Sequence, residues 1–247
     1  MRLTLRQRAS WAAHVFKAVT QQHHRALVPL FAPLIPSEAV VLDVGAHAGQ
    51  FAKLFAGLAP RGHIYAFEPS AYARSVLGPA LAAGGRGRVE VVPMGLSDRA
   101  GDQVLHTPVK RRGGLGFGIA HLGEDEGRGG EGGGPAGPLS TVDQTIALTT
   151  LDAFAQARGL ERLDLIKLDI EGWELRALAG GERTLRRFGP ALYVEVDDAM
   201  LARAGDSAGG LFAWLSELGY VARRAPDLTP APHWLGAGDY LFQRGGA

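Results

Sequence analysis

The chain has 247 residues, with 26 Lys and Arg against 25 Asp and Glu for a formal charge of +1. No strong field marks it for a polyanion, and nucleic acid is not an expected partner. Hydrophobic residues make up 46%, enough to fill the core of one α/β domain and incompatible with disorder of the whole chain. The absence of cysteine excludes a disulfide framework, a thiolate metal site and a cysteine nucleophile.

The N-terminal stretch is helical in pattern, but Lys17, His23, His24 and Arg25 break it before about 18 apolar residues accumulate. It reads as neither signal peptide nor membrane span, so no membrane partner and a cytoplasmic location are expected. Pro29, Pro33 and Pro36 separate it from the first strand. Residues 1–36 are therefore expected to form a helical appendage, and 37–247 the main domain. The appendage carries His14, His23 and His24, and three roles remain open for it: a cover over a substrate pocket, a homodimer contact, or a solubilising helix.

Beyond it, short apolar runs alternate with helical patterns, the signature of a parallel sheet with crossover helices. The predicted strands are Ala39–Val44, His63–Phe67, Val89–Val92, Asp164–Ile170, Ala191–Val196, Tyr220–Arg224 and Tyr240–Gln243. Gln50–Leu58, Ala71–Ala82, Leu151–Arg158, Glu174–Phe188 and Leu211–Leu218 carry apolar residues at three- and four-residue spacing and should cover both sheet faces. Between the third and fourth strands, Gly113 to Gly137 holds 12 glycines in 25 residues. So much backbone entropy with so few large side chains predicts a mobile insertion at about 111–139, either a tolerated surface loop or a lid. Lys110, Arg111 and Arg112 at its start are either solvated or placed to meet an anionic substrate.

The richest segment is Val40–Gln50, VVLDVGAHAGQ, a buried strand running through Asp43, Gly45, Ala46, His47 and Gly49 into a helix. Gly45 permits a tight turn, Gly49 a close backbone approach, and the helix start offers unpaired N–H groups. The Gly-x-x-x-Gly spacing departs from the Gly-x-Gly-x-x-Gly that seats a pyrophosphate. With Asp43 expected to aim its carboxylate into the pocket, a pyrophosphate is repelled and a sulfonium attracted. The next strand ends in Glu68-Pro69, an acid placed to accept both ribose hydroxyls. At the third strand end, Ser97 and Asp98 either meet an adenine edge or form ordinary turn chemistry.

In Asp164–Glu174, DLIKLDIEGWE, alternation puts Lys167, Asp169 and Glu171 on one side of a strand before Gly172 turns the chain. Ligands sit at this sheet edge, so the three read as site residues. The alternative is an internal salt bridge from Lys167, one of only four lysines, to Asp169 or Glu171. Glu195 and Asp197 end the following strand in ALYVEVDD. Trp173 is open between stacking on an acceptor ring and core packing.

In order and spacing, DVGAHAGQF, FEP, LSD, Thr150-Leu151-Asp152, IKLDIEGWE and YVEVD resemble the FkbM family of S-adenosylmethionine-dependent methyltransferases, over about Val40 to Asp197 with Gly238–Phe242 as a last strand. His47 stands where Asn is common. The resemblance implies a Rossmann-like class I methyltransferase fold, a seven-stranded mostly parallel sheet, and O-methylation of a hydroxyl on a sugar, polyketide, glycan or similar secondary metabolite. It carries cofactor binding onto Asp43, Gly45, Gly49 and Glu68, and active-site duty onto Asp169, Glu171 and Glu195. An aliphatic hydroxyl holds its proton too tightly to react as free alkoxide at neutral pH, so a positioned base or an acidifying metal is needed. Asp169 and Glu195 could hold Mg²⁺, as in catechol O-methyltransferase-like enzymes, or Asp169 or Glu171 could be the base without metal. A nicotinamide oxidoreductase and a non-catalytic methyltransferase-like binding module are the rival functions.

Overall fold

The computed structural model describes residues 5–83, 88–108, 121–122 and 141–245. Most of the glycine-rich segment, with Lys110, Arg111 and Arg112, lies outside these described residues.

Helix α1 (Leu5–Thr20) and the short α2 (Val28–Phe31) precede the first strand. Then come β1 (Val40–Val44), α3 (Gln50–Leu58), β2 (His63–Phe67), α4 (Ala71–Ala83) and β3 (Val89–Val92). A second group is β4 (Gly95–Leu96), β5 (Gly101–Pro108), β6 (His121–Leu122) and β7 (Thr141–Thr149). The chain then returns through α5 (Leu151–Ala157), β8 (Leu165–Leu168), α6 (Glu174–Ala179), α7 (Glu182–Phe188) and β9 (Ala191–Val196). It closes with α8 (Asp198–Leu201), α9 (Ala208–Glu217), β10 (Tyr220–Arg224), β11 (Thr229–Pro230) and β12 (Gly238–Arg244).

The main sheet runs β11-β10-β12-β9-β8-β1-β2-β3. Strands β9, β8, β1, β2 and β3 are parallel, and β12, β10 and β11 extend the sheet antiparallel. All seven predicted strands are present, and the two-residue β11 adds an edge. The chain leaves β1 toward β2 and β3 but later places β8 on β1's other side. The crevice at the carboxyl ends of β1 and β8 is thus a topological switch point, where α/β sheets bind ligands.

Two expectations need correction. Glu174–Phe188 is not one helix: Gly180 and Gly181 divide it, because a Cβ at Gly180 would lie 2.0 Å from the Ser97 carbonyl oxygen and one at Gly181 2.4 Å from Leu151. A second, four-stranded sheet, β4-β7-β5-β6, went unpredicted. His121–Leu122, inside the glycine-rich insertion, pair with β5 rather than standing in a loop. The Thr150-Leu151-Asp152 motif proves to be a structural fastening. Thr150 Oγ1 accepts from the Ala153 amide at 3.1 Å as an N-cap, and Asp152 Oδ1 accepts from the Thr184 amide at 2.8 Å and its hydroxyl at 2.6 Å, joining α5 to α7.

The N-terminal stretch packs firmly against the sheet domain. Trp11 donates to Ser75 Oγ at 3.0 Å, and Ala18 is buried with Tyr72, Val76 and Ala80 of α4. Phe31 and Ile35 are buried, Phe31 edge-on to Phe55 at 5.1 Å and to Tyr193 of β9 at 5.0 Å between ring centroids. No helix among the described residues is long and apolar enough to cross a membrane. Because Phe31 fills a core site between α3 and β9, Phe31→Ala should lower the unfolding free energy by about 3 to 5 kcal/mol in urea titrations. A loss below about 1 kcal/mol would mean that the N-terminal stretch is not part of the cooperative fold.

Candidate active site

A cavity of about 290 Å³ opens at the switch point, between the β1–α3 turn, the ends of β2 and β4, and the turn after β8. Gly45 and Gly49 hold φ of +78° and +80°, conformations that strain any residue with a side chain. A Cβ on Gly45 would stand 2.0 Å from the Asp169 carbonyl oxygen, so only glycine lets the β1 turn lie against the β8 turn. Gly49 begins α3 and faces Leu77 at 2.5 Å from a virtual Cβ; it is a packing glycine rather than part of the cavity wall.

Glu68 ends β2, buried on the wall. Its Oε2 accepts from the His47 amide and its Oε1 from the Ser70 amide, both at 2.8 Å. Burial pushes its pKa up and the two amides pull it back. A carboxylate has about four acceptor sites, so two remain for hydroxyl donors of a ligand. His47 lies in the left-handed region at φ +50° and also lines the cavity; burial lowers its pKa to about 4, so its imidazole is neutral.

Lys167, only 2% exposed, occupies the centre. Its ammonium donates to the Gly45 carbonyl at 2.9 Å and the Val44 carbonyl at 3.3 Å. It stands 3.5 Å from both Asp43 Oδ1 and Asp169 Oδ2. Burial opposes the charge, yet the attraction of Asp169 and Asp43 outweighs it and raises the lysine's pKa. The internal salt bridge and the site are thus the same object.

Asp43 requires a correction. It is fully buried and does not line the cavity. Asp43 and Lys167 are register partners on adjacent parallel strands, so their side chains share a sheet face and the ammonium stands over the carboxylate. Its charge answers Lys167 and not a ligand. Ser97 and Asp98 are also off the wall: Ser97 Oγ accepts from Trp173 Nε1 at 3.1 Å and donates to Asp98 Oδ1 at 2.9 Å, seating the indole that does line the cavity. Trp173 carries Arg176 against its ring at 4.9 Å.

The acidic rim comes from the turn after β8. Asp169 and Glu171 line the cavity, as do Ala46 and Pro69. Glu171 reaches it through a left-handed turn at φ +58° and not through strand alternation, since β8 ends at Leu168. Burial pushes the Asp169 pKa up, but Lys167 pulls it below the usual carboxylate range. Among the described residues Glu171 has no such cation within salt-bridge distance; burial, then Asp169 and Glu174, raise its pKa to about 7. Glu195 lies off the wall, and burial, then the neighbouring Asp169, raises its pKa to about 8. Asp197 caps α8, accepting from the Ala199 and Met200 amides.

The Asp169–Glu195 pair does not fit Mg²⁺. Burial and the neighbouring Asp169 raise the Glu195 pKa to about 8, which favours a neutral carboxyl over a metal-binding carboxylate, and Lys167 already supplies Asp169 with positive charge. Among the described residues no group of three or more His, Asp or Glu side chains is placed to hold a metal, whereas Mg²⁺ demands a near-octahedral set of oxygens. His24, read from the sequence only as part of an appendage with a pocket cover among its open roles, lines the wall, stacked on Phe51 with ring centroids 4.0 Å apart; Phe51, Ser70 and Leu105 also line it without having been singled out.

A parallel sheet with this strand order, a glycine turn after β1 and an acid ending β2 define a Rossmann-like class I methyltransferase fold. Residues 43–222 match the Methyltransferase FkbM domain, and the chain belongs to that family. Among its relatives, the 2-O-methyltransferase NoeI of Sinorhizobium fredii is 31% identical over 191 residues, covering 72% of this chain and 70% of that protein. The AMB antimetabolite synthetase AmbE of Pseudomonas aeruginosa is 32% identical over 204 residues, 71% of this chain but only 9% of that much longer protein. The FkbM methyltransferase of Methylobacillus flagellatus superposes with a TM-score of 0.53 at 14% identity, covering 96% of this chain and 59% of that one. An O-methyltransferase from Bacillus cereus in complex with SAH gives a TM-score of 0.50 at 12% identity, covering 98% and 91%. At these identities the two structures speak for the fold alone.

Removing Lys167 leaves two acids facing each other at the sheet edge. Lys167→Met should cost about 3 to 5 kcal/mol at neutral pH. The orphaned acids then have folded pKa values above their unfolded ones near 4, so the cost relative to wild type shrinks as the pH falls from about 8 toward 5. Adding Asp43→Asn should recover part of it. A cost that is independent of pH in urea titrations would refute the ion-pair account.

Proposed function

We propose that this chain transfers a methyl group from S-adenosylmethionine to a hydroxyl of a sugar, polyketide or similar secondary metabolite. The observation that carries the reading is one cavity bracketed by the Gly45 turn and the ribose-accepting Glu68, with Glu171, an acid titrating at about 7, on its rim. The residues present fit the donor. Glu68 keeps acceptor capacity for a ribose diol, Phe67, Met94 and Leu96 give an apolar seat for a base, and Asp169 and Glu171 face positive charge. S-adenosylmethionine bound there supplies a methyl group on a sulfonium, whose S–C bond breaks as the acceptor's O–C bond forms.

The protein's task is then alignment and proton removal. An in-line acceptor oxygen must sit within about 3 to 3.5 Å of the transferred carbon. Glu171 suits the base: its pKa near neutrality gives both an ionised fraction and a real affinity for the proton. Asp169, held low by Lys167, is too weak a base and serves as a fixed negative charge. The hydroxyl proton passes to Glu171 as the O–C bond forms, and from there to solvent. The relative NoeI is named a 2-O-methyltransferase, which supports hydroxyl as the acceptor group.

The nicotinamide reading fares worse on this geometry, because Asp169 and Glu68 flank the turn on which a pyrophosphate would have to sit. A titration calorimeter decides between them: S-adenosylhomocysteine should bind and NADH should not, and the reverse order would overturn the proposal. Mechanistically, methyl transfer from labelled S-adenosylmethionine to a panel of sugars and macrolide alcohols should rise with pH to a plateau. Its midpoint should lie no higher than about 7, because the base must be deprotonated. Glu171→Gln should lower turnover by about 10²- to 10⁴-fold with S-adenosylhomocysteine affinity kept within a few-fold. Unchanged turnover would remove Glu171 from the mechanism, and failure of every acceptor with the donor bound normally would favour a non-catalytic module.

A further inference from the structure

We infer that His24, brought to the cavity by the segment before the first strand, hydrogen-bonds the carboxylate of the donor's amino-acid end; this rests on the reading of the cavity as the S-adenosylmethionine site. The ribose is the middle of that molecule, with the base on one side and the sulfonium and zwitterionic amino acid on the other. Glu68 therefore divides the cavity. On the β2–β4 side the wall is apolar, from Phe67, Pro69, Met94 and Leu96. On the β1–β8 side the wall carries the polar groups His24, Gln50, Lys167 and Asp169, set among Val44, Phe51 and Ile170. Apolar surface suits the base and charged surface the zwitterion.

Within the polar half the assignment comes from counting donors and acceptors. Asp169, held ionised, matches the ammonium. The carboxylate needs an N–H. Lys167 is already committed to the Val44 and Gly45 carbonyls and to two acids, and Gln50 Nε2 donates to the Ala18 carbonyl at 3.3 Å. His24 makes no side-chain hydrogen bond among the described residues. Its ring lies on Phe51 at an interplanar angle of 15°, which holds the plane of its N–H groups. Burial, then Lys167, keep its pKa below the ordinary value, so at neutral pH the ring is neutral with one N–H to give.

The segment is also anchored well enough to place that ring. Gln22 Nε2 donates to the Gln50 carbonyl at 2.9 Å, and Lys53 donates to the Gln21 carbonyl at 3.2 Å and to that of Ala18. His24 lies outside the 43–222 span matched by the family, so the contact belongs to this chain's own N-terminal segment.

The test compares two ligands by calorimetry on the full chain: S-adenosylhomocysteine and 5′-methylthioadenosine, which shares adenosine and sulfur but lacks the amino-acid end. His24→Phe keeps the stack on Phe51 and removes the N–H. It should weaken S-adenosylhomocysteine by roughly tenfold or more, the loss expected for a hydrogen bond to a charged group, and leave methylthioadenosine within twofold. His23→Ala, at an exposed neighbour, should change neither. Equal losses for both ligands would mean a merely structural role and overturn the inference, as would an unchanged S-adenosylhomocysteine affinity. If the wild-type chain bound methylthioadenosine and S-adenosylhomocysteine equally, the amino-acid end would make no contact here and the inference would fall while the site stood. If it bound neither, the site reading itself would fail.

Discussion

One buried ammonium governs the carboxyl edge of this sheet. Lys167 sits between Asp43 on β1 and Asp169 after β8 and donates to the carbonyls that open the Gly45 turn. A charge this deep costs several kcal/mol unless neighbours answer it, and here two carboxylates and two carbonyls do so. The cluster joins two strands at the point where their backbone ladder ends, and it sets the charge of Asp169. Asp169 stays ionised because Lys167 is there, and Glu171 is driven toward neutrality by burial and then by Asp169 beside it.

From that arrangement the cavity acquires two unlike halves. The apolar half is built by β2, β4 and the indole of Trp173, seated by Ser97. The polar half is built by the β1 and β8 turns and closed by a segment that precedes the sheet altogether. The close approach of those turns is possible only because Gly45 has no Cβ. Glu174 helps to hold the second turn, accepting from the Ile170 amide at 3.0 Å and the Gly172 amide at 3.3 Å, so that Glu171 keeps its left-handed backbone.

Much of this was legible from residue order. The apolar runs VVLDV, HIYAF and ALYVEV could only be strands, and the acids that end them had to gather at one sheet edge. What the linear pattern lacks is lateral registry. It shows that Asp43 is inside a strand but not that Lys167 stands opposite, so a buried counter-ion looked like a ligand contact. Ser97 failed for the same reason, since nothing in its neighbourhood announces the indole of Trp173 76 positions away. Strand β7, TVDQTIALT, alternates as a half-buried strand should, but it comes after a glycine-rich stretch whose composition masks its partner β5. His24 was legible only as part of a segment that could cover the pocket, because its place on the wall comes from stacking on Phe51 and not from any spacing.

The charge state of Lys167 is the most direct measure of whether one ammonium organises this edge. With four lysines in the chain, the side-chain ammonium resonances of ¹⁵N-lysine-labelled protein can be assigned by single substitutions and followed with pH. An ammonium at position 167 that is protected from solvent exchange and titrates above the ordinary lysine range is the predicted result. A Lys167 amine already neutral at pH 7 would contradict it, since Asp43 would then have no cation and Asp169 no reason to remain ionised.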